Sequence, residues 1–120
     1  MHTVIETKPY LTAADAAGMT ETERERVVMF LAENPEAGDI MRESGGCRKI
    51  RIAKDGSGKS GGYRIITWFG GKDIPVFLLT VFAKGKKANL SDGECNALAK
   101  LTAMLRESLG SNVKKLRTKS

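Results

Sequence analysis

The sequence predicts an α+β domain: a small antiparallel sheet, formed by an N-terminal strand plus a three-stranded meander, with helices packed on one face. Three observations predict it. The hydrophobic period changes from 3.6 to 2 after Gly46, three β-rich runs follow one another across short Gly-containing gaps, and Ser/Thr-x-x-Glu capping boxes open two separate helical segments. At 120 residues the chain is the size of one domain, and 41% hydrophobic with 28% charged residues is a globular balance.

Each element has a local reason. Residues 3–7 are β-branched enough for a short strand. The Ala-rich segment from Pro9 to Gly18 reads as a short helix. Thr20-Glu-Thr-Glu23 is a capping box, and it opens a helix with Val27, Phe30, Leu31 and Asn34 on one face and Val28 and Ala32 beside them. Asn34-Pro35 stops that helix, since proline restricts the residue before it and lacks an amide hydrogen. From Cys47 to Ala53 the side chains alternate, placing Ile50 and Ile52 on one face and Lys49 and Arg51 on the other. A Gly-rich hairpin loop (residues 55–62) leads into Tyr63–Phe69, and Gly70-Gly71-Lys72-Asp73 leads into Ile74–Phe82, where Pro75 sits at the strand start that it tolerates. Ser91-Asp-Gly-Glu94 is the second capping box, and Leu98, Leu101 and Leu105 form one stripe on its helix. Gly110 is the expected stop. Residues 1–110 then make a single domain, and 111–120, with Lys114, Lys115, Arg117 and Lys119, a flexible basic tail.

Charge is divided unevenly. Residues 1–46 carry four basic and nine acidic side chains, a net −5, whereas residues 47–120 carry sixteen basic and five acidic, a net +11. With a pI near 9.5, this favours a polyanionic partner and assigns it to the second part of the chain. Membrane and export readings are excluded: Ile74–Ala83 is about half a membrane span, and Met1–Tyr10 lacks signal-peptide shape. Cys47 and Cys95 form neither a CxxC nor a metal-ligand pattern, so free thiols in a reducing cytoplasm are expected.

Residues 53–60 satisfy the looser form of a phosphate-loop pattern, with Ala53 at its first position, but such a loop holds phosphates at the N-terminus of a following helix. Here a strand follows, so a nucleotide cofactor is not expected. No metal or other cofactor is expected either: His2 is the lone histidine, and Asp55, Asp73, Asp92, Glu94 and Glu107 are scattered. What converges is cationic: Lys49 and Arg51 on one strand, Arg64 on the next, and Lys84, Lys86 and Lys87 beyond the third. Neighbouring strands lie about 4.8 Å apart, so these side chains can surround one phosphate. Packed cations disfavour one another's charged form, and a lysine brought toward neutrality can take the proton of an RNA 2′-hydroxyl. An arginine beside it can stabilise the charge building on phosphorus, and a second cation can protonate the departing 5′-oxygen. A face that only binds RNA or DNA is the simpler reading of charge alone, and Tyr63 and Phe82 are core residues before they are base-stacking platforms.

Four segments carry a more specific likeness. Gly45-Gly46-Cys47-Arg48-Lys49-Ile50-Arg51, Gly58–Ile66 containing Gly62-Tyr63-Arg64, Phe77–Lys84, and Ala88-Asn89-Leu90-Ser91 follow in order. Together they resemble the RelE/HigB group of toxins from bacterial toxin–antitoxin pairs, over about residue 34 to the last helix. The resemblance implies a RelE-like compact fold and a metal-independent endoribonuclease that cuts messenger RNA in the ribosomal A site. It also implies a cognate antitoxin, often a helix-turn-helix DNA-binding protein, as partner. By position it implies Lys49 and Arg51 as the acid/base and charge-stabilising pair, Arg64 as the transition-state arginine, and, ranked below these, Lys84 and Lys86 in the basic segment closing the site. Arg48, Lys54, Lys59, Lys86, Lys87 and Phe82 are the accompanying RNA-binding set. Phe82 stands where relatives often carry tyrosine, and alternation points Tyr63 to the face opposite Arg64. The alternative function is a non-cleaving toxin-fold module that blocks a target such as DNA gyrase.

Overall fold

The three β-rich runs form the meander, and their pairing fixes which side chains share a face. In the computed structural model, which describes residues 2–53, 62–71, 73–83 and 90–119 (the last eleven as backbone alone), the elements follow in chain order. They are β1 (Val4–Glu6), α1 (Lys8–Ala16), α2 (Glu21–Glu33), β2 (Asp39–Ile40), β3 (Arg48–Ile52), β4 (Tyr63–Phe69), β5 (Val76–Ala83) and α3 (Asp92–Lys119). The sheet runs β1-β5-β4-β3-β2, with β3, β4 and β5 antiparallel as the sequence predicts.

The α+β class stands, with differences in how the layers assemble. β1 pairs parallel with β5, so the sheet is mixed rather than antiparallel. The two helices that follow β1 carry the chain back over the sheet, which leaves the outer edge of β5 for β1; Thr7 Oγ1 donates to the Leu78 carbonyl at 2.7 Å and secures the end of that pairing. A two-residue β2 extends the other edge beside β3. Helices cover both faces rather than one. Tyr10, Ala14, Val27 and Leu31 of α1 and α2 pack with Ile50, Ile65 and Leu78, while Leu98 and Leu105 of α3 pack with Cys47, Ile66, Trp68, Phe77 and Leu79. The reason lies in β4, whose residues from Tyr63 to Trp68 are all buried: both of its alternating sets need cover.

Both capping boxes form. Thr20 N donates to Glu23 Oε1 at 2.9 Å and Glu23 N to Thr20 Oγ1 at 3.1 Å; Ser91 and Glu94 repeat the exchange at 2.9 and 3.2 Å. The buried line of α2 is Glu23, Val27 and Leu31, with Ala32, whereas Phe30 is 42% exposed. On α3 the buried position between Leu98 and Leu105 is Thr102, and Leu101 faces out. Helical backbone continues through Gly110 to Lys119, where a tail is expected from the sequence; no proline interrupts the segment, and a glycine inside a helix costs only about 1 kcal/mol. Among the described residues no helix is long and apolar enough to cross a membrane.

Candidate nucleic-acid interface

The alternation of β3 is realised. Ile50 and Ile52 pack toward α1 and α2, which puts Lys49 and Arg51 on the face that α3 partly covers. Cross-strand pairing then aligns Arg51 with Arg64 and Arg64 with Phe82, one residue from each meander strand in a single row. The adjacent row on that face is Lys49, Ile66 and Thr80. Directly opposed residues have Cβ atoms about 5 Å apart, so the two guanidinium groups of the first row can reach one anion.

A bulge makes this row possible. Thr67 pairs with Leu78 and Ile66 with Thr80, so Leu79 is an extra residue on β5. It shifts the phase of the strand by one, which brings Phe82 to the side of Arg64 while Val76 and Leu78 remain on the α1 side. Without it, strict alternation would turn Phe82 toward Tyr63.

Exposure differs along the row. Arg51 is exposed, Lys49 and Phe82 are half-buried, and Arg64 retains only 8% of its surface. Among the described residues no carboxylate pairs with Arg64. A nearly buried cation without a counter-ion is costly, and an anion delivered from outside lowers that cost.

Tyr63 lies on the opposite face, fully buried, and its hydroxyl donates to Glu23 Oε1 at 3.1 Å. Its phenol ties β4 to the first turn of α2 and does not replace the tyrosine missing at Phe82. Arg48 also points away from Lys49 and Arg51, sharing the phase of Ile50, and its Nη1 donates to the Glu36 carbonyl at 2.7 Å. Lys54, Lys59, Lys84, Lys86 and Lys87 lie outside the described residues, as does most of the Gly-rich loop. Burial pushes the Cys47 thiol up to about 11, against a smaller opposing effect of Ser44, so it is no nucleophile. No three His, Cys, Asp or Glu side chains gather among the described residues.

Two features of this face are not apparent from sequence patterns alone. The Gly45-Gly46 pair carries positive φ values of +77° and +96°, and a Cβ at Gly45 would run into Thr102 of α3. Arg106 of α3 lies over the Trp68 ring, its Cζ 5.7 Å from the centroid. The shared parity of Arg64, Ile66 and Trp68 along β4 is the one signal that places Trp68 on the cationic face.

Comparison with known proteins identifies the family and the fold. A family described as the RelE toxin of the RelE/RelB toxin–antitoxin system matches residues 20–120. The chain belongs to the RelE toxin family. A solved structure of E. coli toxin RelE in the free state, a double mutant with two arginines changed to alanine, is 19% identical over 82% of this chain and 93% of that one, with a TM-score of 0.52. At that identity the likeness concerns the fold. This RelE-family protein is thus the toxin component of a toxin–antitoxin pair, with an antitoxin as its implied partner.

Proposed function

We propose that this toxin is a ribosome-dependent endoribonuclease that cuts messenger RNA in the A site without metal and so stops translation. The observation that carries this reading is the Arg51–Arg64–Phe82 row, with Lys49 on the next row of the same face. Lys49, or Lys84 from the segment after β5, takes the proton of the 2′-hydroxyl. The 2′-oxygen attacks the adjacent phosphorus, and the bond to the 5′-oxygen breaks. Arg64 and Arg51 bind the non-bridging oxygens as their charge rises, and a second cation returns a proton to the leaving 5′-oxygen. The products are a 2′,3′-cyclic phosphate and a 5′-hydroxyl. Phe82 supplies a face on which a base can stack. Lys54, Lys59, Lys86 and Lys87 hold flanking phosphates, whereas Arg48, on the opposite face, takes no part. The toxin works in the cytoplasm, and its cognate antitoxin is a helix-turn-helix protein.

Induction of the wild-type protein followed by primer extension on cellular messages tests this. Discrete breaks at A-site codons are expected, and Arg64→Ala should reduce them about 100-fold or more while the protein stays folded. Undiminished breaks with Arg64→Ala would refute the assigned site. Intact messages with arrested replication would instead favour a gyrase-blocking module.

A further inference from the structure

We propose that Arg106, seated on Trp68 beside Gly46, is a second phosphate-binding point that grips the RNA strand away from the bond being cut. RNA as the ligand rests on the ribonuclease reading, whereas the site itself rests on three groups that converge. Trp68 is fully buried, yet its Nε1–H has no acceptor among the described residues. Arg106 is exposed and lies over the same indole with its Cζ 5.7 Å from the ring centroid. A methyl group at Gly46 would sit 3.8 Å from Arg106 Nη2 and 3.9 Å from Trp68 Nε1, so both donors border the space that this glycine leaves open.

An indole face attracts a guanidinium through its ring quadrupole without using up its N–H donors, which stay available to an anion. The indole N–H beside it is a donor already removed from water, so an arriving oxygen displaces little solvent to satisfy it. The position on the sheet points to a repeating polyanion rather than an isolated ion. Trp68 is four residues along β4 from Arg64 and on the same face, a distance of about 13 Å. One phosphate cannot touch both. Lys49, opposite Ile66, lies midway between them. Cations therefore stand at three successive levels of one face, which is the pattern a single strand with regularly spaced phosphates would follow.

The test uses the full-length protein and a short fluorescent RNA with 2′-O-methyl groups, which binds without being cut. Affinity is measured by anisotropy across a salt series for wild type, Arg106→Gln, Arg106→Lys and, as a cation on the other side of the sheet, Lys8→Gln. Loss of one phosphate contact should lower the slope of log affinity against log salt by about 0.7 in Arg106→Gln and weaken binding about fivefold at low salt. Arg106→Lys keeps the charge and most of the slope, and Lys8→Gln changes neither. Trp68 is the single tryptophan, so its emission reports the site directly and should change on binding with the same midpoint as anisotropy. An unaltered salt slope in Arg106→Gln, or Trp68 emission indifferent to bound RNA, overturns the proposal while leaving the ribonuclease reading intact. Intact cellular messages after induction of the wild type, with the slope change present in Arg106→Gln, would do the reverse. Absence of RNA binding by the wild type would remove both.

Discussion

Gly45 and Gly46 offer a controlled comparison, because they share a backbone conformation and differ in surroundings. Both have left-handed φ, +77° and +96°, which an L-residue adopts at about 1–2 kcal/mol. At Gly46 the nearest atoms to an added Cβ are 3.8 and 3.9 Å away, ordinary contact, so Gly46→Ala should lose only that backbone contribution, about 1–2 kcal/mol. At Gly45 the same methyl would collide with Thr102 Oγ1 and lie 3.1 Å from the Ala99 Cα. Overpacking of this kind adds about 1–3 kcal/mol, for a total near 2–5. Urea unfolding followed by Trp68 fluorescence reads both. Gly45→Ala should be the less stable by at least about 1 kcal/mol, and adding Thr102→Ala should recover most of that gap but none of the backbone contribution. Equal losses at the two glycines would refute the close approach of α3 to the 45–46 turn.

Tyr63→Phe removes the hydroxyl that donates to the buried Glu23; it should cost about 1–2 kcal/mol in urea melts yet leave messenger RNA cleavage at the wild-type level, and lost cleavage would make Tyr63 part of the site after all. Thr20→Ala breaks one arm of the α2 capping box and should lower stability by about 1 kcal/mol in the same measurement, with no change if the cap is ornamental. Burial, helped by Glu6, raises the Tyr10 hydroxyl from 10.0 to about 12, and burial raises the Cys47 thiol from 9.0 to about 11. Both groups bind protons more tightly in the folded state, so their contribution is fully present below about pH 9 and disappears as pH rises through 11 and 12. Between pH 8 and pH 11.5 the unfolding free energy should therefore drop by a few kcal/mol, since each tenfold gain in proton affinity on folding is worth about 1.4 kcal/mol. The drop should be smaller in Cys47→Ala, and a flat profile would contradict the burial of both groups.

The parts of this molecule that are legible in its sequence are those set by short-range rules. Capping boxes at Thr20 and Ser91 need only a hydroxyl and a carboxylate three residues apart, and both form. Alternation through Lys49-Ile50-Arg51-Ile52 assigns faces without reference to any distant residue, and the register of β3 with β4 then brings Arg51 to Arg64. Where the decisive contact is distant, the pattern is silent. Val4–Glu6 is too short to reveal that it pairs parallel with β5, and Asp39–Ile40 is too short to show as a strand at all. The run Val76–Phe82 is almost wholly apolar, so nothing in it marks Leu79 as the bulge that aims Phe82. Phe30 and Leu101 sit within helical stripes yet face outward, while the polar Glu23 and Thr102 are buried: Glu23 accepts from Tyr63 of β4, and Thr102, bonded to the Ala99 carbonyl, lies close against Gly45. Alternation alone sets Arg48 on the face of Ile50, and what it meets there, the Glu36 carbonyl of the loop before β2, is the distant part.

Arg64 occupies the central strand of the sheet, paired with Arg51 of β3 on one side and Phe82 of β5 on the other, and retains only 8% of its surface. For folding alone, methionine or leucine there would be the better choice, because a buried guanidinium must be stripped of water each time the chain folds. Retaining arginine therefore means that the free toxin is held below the stability its own architecture could reach. A protein in that position gains most from whatever neutralises the charge, whether substrate or partner, and is cleared most readily when neither is present. The residue proposed to make the toxin harmful also makes its unbound form the less stable one.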